Sequence, residues 1–237
     1  RSFFARLAQR RKLNPDTQPD TGSAAIVIPN WNGRDLLEKY LPSVIAAAER
    51  VPGSEVIVVD NGSEDGSAAF IRERFPQVRV VALETNLGFG GGCNAGAAEV
   101  IDDVDLGLFL KPDTVPLPGS LDALRSGGKP EWGGWMGLLT LPDGTVNSAG
   151  NAVHISGLSW VNGYGKAPAD YAQPRSVTVL SGADMVVRTP VWRELGGFEA
   201  DYFLYYEDTD ISVRMRLLGY GLGLVPKAHI QHDYDFG

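Results

Sequence analysis

The sequence predicts an α/β fold on a mostly parallel sheet that becomes mixed in its second half, and three observations predict it. Short apolar runs rich in β-branched residues alternate with helical patterns over residues 24 to 110. Polar or aromatic residues fitted to ligand contact, Trp31, Asp60, Asn86 and Asp113, lie just after these runs, where open α/β sheets bind ligands. Glycine-rich and aromatic stretches over 127 to 165 then precede strand-like segments near 177 to 187, joined to the first half without a linker.

The predicted strands are AAIVI at 24 to 28, EVIVV at 55 to 59, VRVVA at 78 to 82 and LGLFL at 106 to 110. Between the first two, Leu36, Leu37, Tyr40, Leu41, Val44, Ile45 and Ala48 recur at helical spacing and would cover one sheet face, with Pro42 bending that helix or ending its first part. A last helix is expected near Glu207, because Asp208 and Asp210 give a negative first turn and Ile211, Met215 and Leu218 form one apolar stripe. Gly219 is its expected stop. Residues 1 to 23 read as a basic segment and linker, and residues 24 to 237 as one domain, divided into halves at 24 to 115 and 116 to 237.

A chain of 237 residues, 43% hydrophobic, can bury a sizeable core. Its net charge of -8 argues against a nucleic-acid partner, whose phosphates need a basic face. The single cysteine, Cys93, excludes a disulfide framework and a cysteine-built metal site, and reads as a small packed residue. No apolar run approaches the roughly 20 residues that span a bilayer, so a soluble, cytoplasmic chain is expected. The first twelve residues carry five positive charges around Phe3, Phe4 and Leu7, which suits either an anionic membrane surface, at the inner face of the plasma membrane, or a frayed basic helix.

The residues that carry chemistry follow the strands. Asp60 at a strand end can accept hydrogen bonds from a base or ribose, and the face of Trp31 can stack on a nucleobase; each has an alternative, a turn cap and a core tryptophan. NLGFGGGCNAG at 86 to 96 resembles a phosphate cradle, although Gly88, Gly90 and Gly91 miss the register of the dinucleotide fingerprint. Asp113 in KPDT is a candidate ligand for Mg²⁺ or Mn²⁺. In YYEDTD a positioned carboxylate can take a proton from an attacking hydroxyl, or the acids can simply cap a helix. Arg214 stands four residues after Asp210, spaced for an ion pair.

In order, IVIPNWNG, VIVVDNGSEDGS, NLGFGGGCNAG, LFLKPDT, LSGADMVVR, LGGFEADYFLYYEDTDISVRMRLLGYG and VPKAHIQH resemble the successive blocks of family 2 glycosyltransferases, over roughly residues 24 to 233. Bacterial members acting on cell-envelope polysaccharides or lipid-linked glycans look most similar. The resemblance implies a GT-A fold with a Rossmann-like first half for the nucleotide and a second half for the acceptor. It also implies a metal-dependent hexosyltransferase that inverts the anomeric centre. Trp31 matches the aromatic that stacks on the base, Asp60 the aspartate that bonds it, Asp113 the end of the metal-binding DxD-type motif, and His232 a histidine at the metal or diphosphate. Asp208 matches the catalytic base, with Glu207 shaping the acceptor site.

The same blocks place Pro29, Asn32, Asn61, Asn86, Gly88, Asn94 and Lys111 among donor-binding positions, and Asp184, Tyr206 and Arg214 near the acceptor. Two residues depart from the family pattern: Lys111 stands where Asn or Asp is usual, so that the metal is held by fewer protein groups or Lys111 contacts phosphate itself, and Asp184 stands where a small or apolar residue is frequent, to touch the acceptor or to make a local hydrogen bond. The expected partners are a nucleotide sugar, UDP- or dTDP-linked, and a glycan or lipid-linked acceptor. Relatives usually continue past HDYDFG, so a further segment completing the acceptor site or touching the membrane is expected. A nucleotidyltransferase, or a module that binds nucleotide sugars without turnover, are the competing readings.

Overall fold

The computed structural model describes residues 22–233, and the structural statements below refer to these. The basic segment, apart from the end of its linker, lies outside them, and with it the membrane expectation attached to its first twelve residues.

The four apolar runs form the parallel part of a sheet: β1 (Ala24–Asn30), β2 (Glu55–Asn61), β3 (Arg79–Leu83) and β4 (Leu106–Leu110). β1 pairs in parallel with both β2 and β4, and β2 with β3. β1 and β4 are buried along their whole length, as strands covered on both faces must be. The intervening helices are α1 (Arg34–Ala48), α2 (Ser67–Arg74) and α3 (Gly88–Ala98). In α1 the predicted stripe is buried except for Leu36. Pro42 does not end this helix: it lies on the exposed face beside exposed Glu38, so the carbonyl deprived of its usual amide partner is turned to water.

The second half adds β5 (Thr114–Pro116), α4 (Ser120–Gly127), β6 (Trp132–Thr140), β7 (Val146–Ser148), β8 (Asn151–Val153), β9 (Ser159–Val161), β10 (Arg175–Ser176), β11 (Asp184–Arg188), α5 (Thr189–Leu195), α6 (Glu207–Leu217) and β12 (Gly221–His232). β11 lies antiparallel between β4 and β6, and β12 runs parallel to β6. This produces the mixed character. One ten-stranded sheet, with main order β10-β12-β6-β11-β4-β1-β2-β3, therefore passes through both halves over a shared core. α6 begins at Glu207 and buries Ile211 and Met215, and Gly219 follows it at φ 96°, the left-handed turn a glycine stop requires.

Of the two roles read for Asp184, the acceptor contact is corrected and the local hydrogen bond is found. Asp184 sits in the middle of the sheet with no exposure, so no acceptor reaches it. Its Oδ2 accepts the Gly137 amide at 2.6 Å, while Oδ1 has no hydrogen-bond partner. Burial pushes its carboxyl up to about 7, the Gly137 amide pulling the other way. A folded value above the unfolded one means that the group favours folding at low pH and loses that contribution as pH rises through about 7. Between about pH 4, where the unfolded carboxyl ionises, and about pH 7 the loss should approach roughly 1.4 kcal/mol per pH unit, or about 3–5 °C in Tm for a chain this size, and it levels off above that range. Between pH 4 and 7 the Tm of Asp184→Asn should fall less steeply with rising pH than that of the parent; parallel curves would show that the carboxyl is already ionised in the fold.

Candidate active site

Past the carboxyl ends of β1 and β2 lies a cavity of about 840 Å³ lined by Pro29, Trp31, Asn61, Asn86, Gly88 and Phe203, among others. Trp31 is 59% exposed, so it is not a core residue and its ring is open to a ligand. Asn61 is fully used inside the protein: Nδ2 donates to Asn86 Oδ1 and to the Gly88 carbonyl, and Oδ1 accepts the Leu87 amide. Asn86 Oδ1 also accepts the Gly88 amide, and the Phe89 amide donates to the Phe203 carbonyl. The amides of 87 to 89 are thus spent at the start of α3, and the phosphate cradle read from NLGFGGGCNAG is not formed. The glycines serve close packing instead. Gly88, at φ 75°, backs onto the main chain of Phe203, where a Cβ would collide.

Several other donor-side expectations are placed elsewhere. Asp60 stands one residue before the end of β2, near the strand end as predicted, but is 7% exposed, accepts a hydrogen bond from Ser67 Oγ at 3.2 Å, and does not line the cavity. Asn32 bonds the Ser63 hydroxyl through its amide N–H and the Glu64 amide through its side-chain oxygen, holding two loops together. Asn94 clamps both backbone groups of Phe198. Neither asparagine lines the Trp31 cavity.

A second cleft, about 750 Å³, is lined by Lys111, Asn147, Tyr206, Glu207, Asp208 and His232 with their neighbours. It adjoins the first, because Phe203 and Leu204 line one while Tyr205 and Tyr206 line the other. The two tyrosines sit at φ 68° and 69°, a left-handed conformation that is strained for bulky side chains. Asp208 opens α6, with Oδ2 accepting the Gly182 amide at 3.0 Å and Oδ1 the Thr209 hydroxyl at 3.2 Å. Glu207 beside it is 5% exposed. Burial pushes its carboxyl up to about 7; its own amide and Lys111 oppose this and the Asp208 charge adds to it. Its Oε2 has no hydrogen-bond partner. Cys93 is buried, and burial followed by the Glu207 charge raises its thiol well above the ordinary value, so it is inert packing.

Arg214 is corrected: it pairs with Asp210 at 2.7 Å, as its spacing predicts, and its remaining donors hold the carbonyls of Leu195 and Gly197. That fixes α6 to the preceding loop; of the three acceptor-side expectations Tyr206 alone lines the cleft.

Asp113 and His232 face one another, Oδ1 to Nε2, at 3.4 Å. His232 Nδ1 lies 3.0 Å from Asn147 Oδ1. An amide oxygen only accepts, so it draws the ring proton to Nδ1 and leaves the Nε2 lone pair toward the carboxylate. Two electron-rich atoms at that spacing suit a shared cation. Burial raises the Asp113 carboxyl, but with a proton on Nε2 the hydrogen bond and charge of His232, joined by the Lys111 charge, outweigh it and hold the group below its usual range; a cation bound between the two would take the place of that proton. Among the described residues no group of three or more His, Cys, Asp or Glu side chains could hold a metal. The pair therefore fits an ion whose other ligands are diphosphate oxygens and water. Asp233 steadies this end of β12, its amide bonded to the Asp113 carbonyl and its carboxylate to Lys39 and Tyr40. Asn147 was not foreseen, since it stands in a short strand among glycines with no motif around it.

The family model described as glycosyl transferase family 2 matches residues 25–125, and that described as glycosyl transferase family group 2 matches residues 108–236. The N-acetylglucosaminyl-diphospho-decaprenol L-rhamnosyltransferase of Mycobacterium tuberculosis is 31% identical over 221 residues, covering 83% of this chain and 71% of that protein. The chain belongs to the family 2 glycosyltransferases. This glycosyltransferase is also 28% identical over 209 residues to the O-antigen biosynthesis protein RfbC of Myxococcus xanthus, covering 84% of the chain but 16% of that larger protein. Two solved structures share its GT-A fold at 17% identity. GalNAc-T7 with UDP, GalNAc and Mn²⁺ superposes with a TM-score of 0.73 over 98% of this chain and 49% of that one. Mannosyltransferase PcManGT of Pyrobaculum calidifontis with GDP-Man and Mn²⁺ gives 0.66 over 99% and 64%.

Proposed function

We propose that this transferase moves a hexosyl group from a nucleoside diphosphate, UDP- or dTDP-linked, to a hydroxyl of a lipid-linked cell-envelope glycan, with inversion. The first half would hold the donor and the second the acceptor. The observation that carries the reading is the adjacency of the two cavities: an exposed tryptophan at one end, and Lys111, His232, Glu207 and Asp208 converging at the other. The M. tuberculosis relative, named for a diphospho-decaprenol acceptor, supports the acceptor class, and a lipid-linked acceptor would bring the chain to a membrane surface, here proposed as the inner face of the plasma membrane.

Trp31 stacks on the base and Lys111 faces the diphosphate. Asp208, oriented by the Gly182 amide, removes the acceptor proton as that oxygen attacks the anomeric carbon from the face opposite the departing diphosphate. Asp113 and His232 would hold a divalent ion, Mg²⁺ or Mn²⁺, which when bound neutralises charge growing on the leaving group; Mn²⁺ in both solved neighbours supports this. Asn147 keeps His232 in the metal-binding tautomer, so Asn147→Leu should weaken Mn²⁺ binding by roughly 10–100-fold in calorimetry without unfolding the chain. Unchanged affinity would take Asn147 out of the site.

The reaction itself is tested by supplying UDP-, dTDP- and GDP-sugars with and without a diphospho-lipid acceptor. Acceptor-dependent release of nucleoside diphosphate, with an inverted linkage by NMR, is expected. With pyrophosphate added, its consumption to give a nucleoside triphosphate and a sugar 1-phosphate would instead favour a nucleotidyltransferase, and binding without release a sensor module.

A further inference from the structure

In the hairpin β8–β9, strand β9 and the turn before it are exposed while β8 is half-buried. Ser159, Trp160 and Val161 are all exposed, Ile155 and Leu158 at its tip are 99% and 66% exposed, and Trp160 is 51% exposed. A two-stranded hairpin is marginal alone. This one is pinned only at its base, where Ala149 and Asn162 join across it and Asn151 exchanges both backbone bonds with Val179. The apolar tip therefore stands out into solvent.

Two further observations identify what it meets. No Asp or Glu occurs between Asp143 and Asp170, although the chain has 29 acids in 237 residues and a net charge of -8. An acidic protein can approach an anionic lipid surface only by a face without carboxylates, and this segment offers one, with exposed Lys166 at its end. The hairpin is also continuous with the reaction cleft, because Asn151 and Val161 line that cleft together with Asp208. Leu and Ile at a tip, with Trp160 and Tyr164 behind, is the side-chain order of a segment entering the headgroup layer. We infer that the β8–β9 hairpin inserts its tip into the bilayer that carries the acceptor, so that the cleft opens onto the membrane surface. This rests on the lipid-linked acceptor proposed above.

The test uses the full chain and vesicles of phosphatidylcholine with 30% phosphatidylglycerol, in low salt and in 0.5 M NaCl, flotation being the readout. The parent chain should float in both, because apolar insertion survives screening that would release the basic first twelve residues. The double variant Ile155→Ser/Leu158→Ser should lose roughly tenfold or more of the salt-resistant binding. Its thermal melt and its turnover of a water-soluble, short-tailed acceptor should match the parent, which keeps this inference separate from the transfer reaction itself. Brominated lipid should quench Trp fluorescence in the parent and much less in Trp160→Phe. Salt-resistant flotation retained by the double variant, or none by the parent, overturns the inference. So does a parent that self-associates in sedimentation while the double variant does not, since a second copy of the chain would then cover the hairpin.

Discussion

Asp208→Asn is expected to lower kcat by about 10²–10⁴-fold while leaving nucleotide-sugar affinity within a few-fold of the parent. Asparagine preserves the shape and an oxygen for the Gly182 amide, so the cleft should stand; only the capacity to take a proton is lost. Single-turnover kinetics with calorimetry of donor binding would separate the two quantities. The neighbouring carboxyl provides the discriminating control. Glu207 is buried, carries an unbonded Oε2 and sits near pH 7 in its proton affinity, so Glu207→Gln mimics its neutral form. That variant should retain far more activity below pH 7 than Asp208→Asn. If Glu207→Gln proves the more damaging of the two, the proton acceptor is Glu207.

Asp113→Ala should remove a carboxylate that the fold keeps ionised against its own burial, and with it most of the protein's hold on a divalent ion. Mn²⁺ titration should weaken beyond detection or by at least about 100-fold, and turnover should fall by 10²-fold or more at any metal concentration short of saturation. Rigorous chelation of the parent should reproduce the same loss. Full activity in both experiments would shift neutralisation of the leaving group to Lys111, which lines the same cleft.

The parallel strands and the last helix were legible because their signals are local: runs of apolar residues, a 3.6-residue stripe, acids at a helix start and a glycine at its end. The placement of Lys111, Glu207, Asp208 and His232 on one cleft followed from the order of the blocks rather than from any single motif. The donor side was read less well. The turn NLGFGGGCNAG has the glycine content of an anion site, but Asn61, Asn86 and the Phe203 carbonyl, close only in space, take the amides first. Arg214 and Asn94 misled similarly, since polar side chains that tie loops together have the same composition as ones that bind substrate. Asp184 broke the family pattern and invited a functional reading, whereas its position between β4 and β6 buries it completely.

The stretch from Phe203 to Tyr206 is a single short tether with an attachment at each end, against Gly88 on the nucleotide side and at the head of α6 on the other. Its two left-handed tyrosines store conformational energy that either occupant can relieve or increase. Filling one cavity should therefore alter the affinity of its neighbour, and with nucleotide sugar and acceptor seated as proposed each would influence the other by the same factor.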